Sequence, residues 1–333
     1  MKDKENNNIN GKIEWIDWAK VILIYLMVVG HNTPTESTFR IIYAFHMPAF
    51  FIISGYLYKE HSWRRTIKTF GIPLIVFSSI NLLIYLLINI QHGSLDFSHF
   101  IERCLIPFWG GSPKALDYII LFPGCWFILS LFAGRLFIGD IHGLGFVRRY
   151  AKYAICVLCA YIMIESFLFP DNPLINYKFY RVVVSLPFML LGVIIKEKFT
   201  IKKMSLWKGI LLLLVFILIA LKQGKCDMLH YQFGYSYLLF YVNATIGSIA
   251  LFSICSRLRP HQCVQVLSKG TLFVLAFNFN LIIFLRVALS KLGFSAFVEN
   301  RELYSWIGGI VILGISYYPI KWMLKHYPTV LGK

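Results

Sequence analysis

Long apolar stretches alternate with short polar ones along this chain. Ten apolar segments stand near residues 16–31, 39–58, 69–91, 117–139, 153–169, 179–195, 209–221, 233–254, 270–290 and 303–320. A helix needs about 20 apolar residues to cross a bilayer. Several of these segments are shorter, and tilt or local thinning of the bilayer takes up the difference. The pattern predicts an all-α, polytopic integral membrane helical bundle of about ten transmembrane helices. Residues 1–12 are polar and rich in Asn and read as a disordered cytoplasmic tail. Residues 13–333 read as a single transmembrane domain. The longest connection, 92–116, mixes Gly, Pro and polar residues with Phe and Trp. It either caps an outward-facing cavity or simply joins two spans.

Composition agrees with the pattern. Hydrophobic residues make up 58% of the 333 and charged residues 15%, where soluble domains carry about 25% charged residues. The net charge of +17 would suit a nucleic-acid partner, but its placement argues for a membrane. With the N-terminus inside, the inner segments hold 21 Lys and Arg and the outer loops 7. Five more, Lys20, Arg40, Arg135, Arg181 and Arg286, lie within spans. That bias follows the positive-inside rule. It puts both termini in the cytoplasm, in a multi-pass protein of the inner (cytoplasmic) membrane, with membrane lipids rather than nucleic acid around it. Basic clusters at Arg64, Arg65 and Lys68, and from Lys196 to Lys203, are topology signals that also attract anionic headgroups.

The first span has no A-x-A-like cleavage site after it. The seven cysteines suggest no disulfide framework, and Cys156 and Cys159, inside an apolar helix, read as packing residues. His61, His92, His99, His142, His230, His261 and His326 are scattered over loops and helix ends, with no metal site among them. No G-x-S-x-G, P-loop or H-E-x-x-H motif is present. Any chemistry must therefore be sought within the bundle.

The first span, WIDWAKVILIYLMVVGHN, carries Asp17, Lys20 and His31. A charged residue at a membrane-helix centre costs about 2.5–3.5 kcal/mol. Lys20 and His31 are eleven residues apart, three helical turns plus about 20°, so they share a face about 16.5 Å apart along the axis. Asp17, three residues before Lys20, is placed to pair with it. Two readings fit. Lys20 and His31 could anchor the helix at the two interfaces, or the polar stripe could face a cavity inside the bundle. The second span, FHMPAFFIISGYLY, adds His46 and puts Pro48 in an apolar helix, where the Ala44 carbonyl loses its partner. Such irregular backbone at membrane depth is tolerated where protein or a water-filled cavity surrounds it. Ser54-Gly55 suits close helix packing.

Together with RRTIKTFGIP, CWFILSLF and LPFMLLG, these two segments resemble the membrane-bound acyltransferase-3 family, in particular its fucose-4-O-acetylase-like branch. The resemblance is firm over about 13–195 and diffuse beyond. It implies ten membrane helices and transfer of an acyl group, commonly acetyl, from cytoplasmic acyl-CoA to a sugar hydroxyl. The acceptor it implies is a cell-surface polysaccharide or its lipid-linked precursor. Acetyl-CoA would be a co-substrate, with no permanently bound cofactor. The family's K-x10-H falls on Lys20 and His31. Its R-x-x-R falls on Arg65-Thr66-Ile67-Lys68, with Lys last. A late-helix motif that often ends in His reads TLFVLAFN here and ends in Asn278, which cannot take a proton near neutral pH.

The expected mechanism makes His31 the general base at an outward-opening cavity. Asp17 orients Lys20, Lys20 helps hold the donor, and Arg64, Arg65 and Lys68 bind the CoA phosphates. An acyl-histidine intermediate fits the same residues. Asn32, His46, Ser54, Trp126, Arg181 and Asn278 are expected to line the cavity. His46 reads equally as a second acid/base or a hydrogen-bonded helix residue, and Trp126 as a packing aromatic or a sugar platform. The competing class is a transporter or flippase of a lipid-linked saccharide, which also uses broken helices and buried polar groups. A scaffold without catalysis is the third reading.

Overall fold

The computed structural model describes residues 14–59, 63–91, 125–141, 144–169, 177–199, 201 and 204–333. The expected tail, the 92–116 connection and the start of the 117–139 segment lie outside the described residues. The described residues fold almost entirely into helices: α1 (Glu14–His31), α2 (Glu36–Tyr43), α3 (His46–Tyr56), α4 (Trp63–Gln91) and α5 (Cys125–Arg135). A wider π turn, Leu136–Ile141, continues α5. There follow α6 (Leu144–Leu168), α7 (Tyr177–Lys198), α8 (Leu206–Lys222), α9 (Tyr237–Cys255), α10 (Gln262–Lys269), α11 (Thr271–Lys291), the short α12 (Ser295–Glu299) and α13 (Arg301–His326).

Among the described residues, six segments are long and apolar enough to cross a membrane: Glu36–Tyr56, α4, Gly145–Leu168, α9, α11 and α13. Ten were expected from the apolar pattern. α1 matches its predicted span but keeps Glu14, Asp17 and Lys20 in 18 residues, and α8 matches its own with only 17. The expected span 233–254 begins later, at Tyr237, because the preceding residues form a small antiparallel hairpin. Its strands, β1 (Cys226–Asp227) and β2 (Gln232–Phe233), pair Cys226 with Phe233 and Asp227 with Gln232. Ser236 then caps α9 by accepting a hydrogen bond from the Leu239 N–H at 3.2 Å.

Burial explains why α1 keeps its charges. Buried positions occur all round this helix, from Trp15, Ile16 and Ala19 through Leu23 and Ile24 to Val28 and Val29. A helix buried on every side is enclosed by other helices, and α1 is packed by α3, α9, α10, α11 and α13. The outer helices are arranged the other way. α4 turns Ile75, Leu83, Leu87 and Ile90 outward, and its buried Asn81 inward. Asn81 accepts from Asn280 Nδ2 at 2.7 Å and donates to the Phe77 and Ala276 carbonyls, tying α4 to α11. Apolar side chains outside and satisfied polar ones inside is the arrangement lipid demands.

The α2–α3 segment is broken, as Pro48 in the sequence suggested. The break falls at Ala44–Phe45, so Pro48 lies in the first turn of α3, where a missing N–H costs least. Phe45 leaves helical geometry with φ −148° and ψ −19°. Beyond the break, α3 packs very closely on α7. A methyl group at Gly55 would collide with the Met189 carbonyl, and one at Gly192 with the Ile52 carbonyl.

Candidate active site

A cavity of about 680 Å³ opens beside the lower half of α1. Lys20, Ile24 and Met27 line it at the i, i+4, i+7 spacing of one helix face. Met47, Phe50 and Ser54 of α3, with Phe127 and Leu131 of α5, form its apolar wall. Three residues expected at a donor site, Lys20, Arg65 and Lys68, meet in this lining. Four more cations that sequence reasoning did not assign to it join them: Lys59, Arg135, Lys269 and Lys333. Among the described lining residues there is no Asp or Glu. Seven basic side chains thus gather around one concavity and give it a positive potential. Arg64 does not line it; its guanidinium lies 5.7 Å from the Trp63 ring centre.

The polar groups at the wall are held by the bundle. Lys20 Nζ donates to the Ser268 carbonyl at 2.7 Å, and the Ser268 hydroxyl donates to Asp17 Oδ1 at 2.6 Å. Ser268 thus links Asp17 and Lys20, a connection that three-residue spacing alone did not reveal. Arg135 Nε donates to Ser54 Oγ at 3.0 Å, and its guanidinium lies 5.1 Å from the Phe70 ring centre. Ser54 therefore lines the cavity and positions one of its cations.

One helical turn beyond Met27, α1 ends at His31, half-buried beside α11. His31 Nδ1 and Asn278 Oδ1 are 2.8 Å apart, and Asn278 Nδ2 donates to the Leu275 carbonyl at 2.6 Å. The Asn278 amide group is thus spent on a carbonyl, and its oxygen faces His31. This assigns the proton to His31 Nδ1 and leaves Nε2 with a free lone pair. Phe279 stacks on the imidazole with ring centres 4.7 Å apart. Asn32, next in sequence, has another task. Its side chain donates to the Tyr304 carbonyl and its own carbonyl accepts from Ser305 Oγ, which locks the end of α1 to α13.

His46 is buried and donates through Nδ1 to the Ile42 carbonyl at 2.8 Å, bridging the α2–α3 break. Tyr43 stands between the two histidines, with its ring centre 5.0 Å from that of His46 and 6.5 Å from that of His31. The hairpin supplies a residue that the sequence reading missed. The Asp227 carboxylate is close enough to be felt at His31, Tyr43 and His46. It accepts from His230 Nδ1 at 2.7 Å and from the Leu229 N–H at 2.9 Å. The hydrogen bond to Asp227 holds His230 above its ordinary pKa of 6.5. The available sequence signal was an Asp and a His three residues apart between Gly224 and Gly234, both of which adopt positive φ here.

Arg181 and Trp126 come together under this hairpin rather than in the basic cavity. Arg181 is buried, with ring centres of Tyr231 and Trp126 at 5.6 and 6.0 Å from its guanidinium carbon. Its Nη2 donates to the Leu229 carbonyl at 3.4 Å, and its Nε has no hydrogen-bond partner among the described residues. The site thus has a basic, partly apolar cavity along α1, two histidines just beyond its inner end, and a hairpin carrying Asp227 near them.

No curated protein and no solved structure matches the chain. A family model described as an acyltransferase domain matches residues 13–324. With helices fit to cross a membrane and a match over nearly its whole length, the chain belongs to the acyltransferase-3 family.

Proposed function

We propose that the protein moves a short acyl group, acetyl in the first instance, from acyl-CoA to a hydroxyl of a saccharide. The acceptor is a cell-surface polysaccharide or its lipid-linked precursor, as in the fucose-4-O-acetylase-like branch. The protein works as a multi-pass enzyme of the inner membrane, with ten crossings and both termini in the cytoplasm. The observation that carries this reading is the cavity itself, seven cations and no carboxylate side chain in its described lining, running along α1 from Lys20 to within one turn of His31.

The phosphates of CoA match the cations, and the pantetheine arm matches the apolar wall. That arm has about a dozen bonds and reaches about 14 Å at the extended-chain spacing of about 3.3–3.6 Å per three bonds. Lys20 and His31 stand about 16.5 Å apart along the helix. A donor anchored near Lys20 therefore brings its thioester to within about 3 Å of the level of His31 along the helix. His31 Nε2 removes the proton of the acceptor hydroxyl as the oxygen attacks the thioester carbonyl. The tetrahedral intermediate collapses, the C–S bond breaks, and the proton on Nε2 passes to the departing thiolate. Asn278 keeps the Nδ1 proton in place and stabilises the imidazolium formed in between. Asp17, through Ser268, holds the end of α10 that receives Lys20.

The test uses membranes of the native host, which contain the acceptor, from a deletion strain carrying either wild-type protein or His31→Ala at equal abundance. Radiolabelled acetyl-CoA is added from the cytoplasmic side. Label is expected in a saccharide fraction with wild type and not with the variant. Equal label in both would refute His31 as the base.

A further inference from the structure

Residues after α13 fold back into the cavity. Pro328–Leu331 form a single 3-10 turn, Leu331 is 1% exposed, and the Lys333 N–H donates to the Pro328 carbonyl at 3.1 Å. This strap is seated on α4. Gly332 has φ +69°, and a Cβ there would fall on the Thr69 carbonyl. Both facts restrict the position to glycine. Seated this way, Thr329, Leu331, Gly332 and Lys333 become lining residues of the basic cavity.

The last of these joins a group of like charges. Packing around its ammonium, then the charges of Arg135 and Lys269, hold Lys333 below the usual lysine range, and the residue as a whole is exposed. Energy is spent to hold a further cation among cations, and a bound polyanion returns it. A strap fixed by an apolar anchor and a glycine, and carrying a cation of the cavity lining, is built as a closure.

We propose that Pro328–Lys333 is a clasp of the donor site, in which Leu331 and Gly332 seat the segment on α4 and Lys333 binds a phosphate of the acyl-CoA. This rests on the donor reading given above. The clasp adds to the α4 cations a contact from a separate part of the chain.

Two variants separate the seat from the charge. Lys333→Ala removes the charge and leaves the seat; Gly332→Val keeps every charge and drives the strap off Thr69. Binding of acetyl-CoA to purified full-length protein is measured by calorimetry at two salt concentrations, with the melting temperature of each ligand-free variant as the check on folding. Both variants are expected to raise the Kd about tenfold, and Lys333→Arg to stay near wild type. Lys333→Ala is also expected to flatten the salt dependence. Binding of both variants within about twofold of wild type would overturn the clasp and leave the donor site standing. No binding of acetyl-CoA by the wild type would overturn the donor reading, and the clasp with it.

Discussion

Replacing Asn278 by Ala removes the oxygen that receives the His31 Nδ1 proton at 2.8 Å. In the resting enzyme this is a bond between neutral groups, worth about 0.5–1.5 kcal/mol, but to an imidazolium the same bond is worth about 1.5–3 kcal/mol. His31 becomes cationic only as it takes the hydroxyl proton, so the transition state loses about 1–2 kcal/mol more than the ground state. That difference lowers kcat about 5- to 30-fold. The KM for acetyl-CoA stays put, because Asn278 does not line the basic cavity. Asn278→Leu, with the same branched outline of four heavy atoms as Asn, separates the lost oxygen from a simple hole in α11. The assay is the initial rate of label transfer from saturating acetyl-CoA, in membranes normalised for protein abundance. A kcat within about twofold of wild type in both variants, or a change confined to the donor KM, would refute the role given to Asn278.

Three further outcomes are expected. Gly55→Ala drives a methyl group into the Met189 carbonyl and should lower stability in detergent by about 1–3 kcal/mol; an unchanged melting temperature would show that α3 and α7 can part freely. Asp227 raises the pKa of His230 above 6.5 in the folded protein. The stability this provides is complete below the unfolded value and is lost as pH rises through the folded one. Asp227→Asn should therefore flatten the fall in melting temperature above about pH 6.5, and an identical pH profile would count against the pairing. Arg181→Met removes a buried guanidinium with an unpartnered Nε. It should leave stability unchanged or raise it by about 1 kcal/mol while lowering transfer; a large loss of stability would make Arg181 a structural residue instead.

Lys20 and His31 were legible as one face because helical periodicity fixes angle and rise regardless of what surrounds the helix. The α2–α3 break was legible because Pro48 announces a missing donor. The enclosure of α1 was less so, since its charges find partners on α10 that no hydropathy window can see. Long-range pairing hid most of the rest. Arg135, Lys269 and Lys333 come from three separate parts of the chain, and nothing local marks them as one site. Asp227 was invisible because a loop of ordinary composition folds as a hairpin over the histidines. Asn32 was misplaced for the opposite reason. Adjacent to His31 in sequence, it points a different way around the helix and serves packing.

The enclosure of α1 also sets a timetable for the protein's synthesis. Lys20 finds its hydrogen-bond acceptor on a residue 248 positions later in the chain. At about 5–20 residues per second, the ribosome delivers that residue about 10–50 s after Lys20. Through that interval α1 resides in the bilayer or at the insertion machinery with its charged end unmatched. A stalled or shortened product lacking α10 and α13 never acquires the missing partners, so the cell has a long window in which quality control can tell unfinished chains from finished ones.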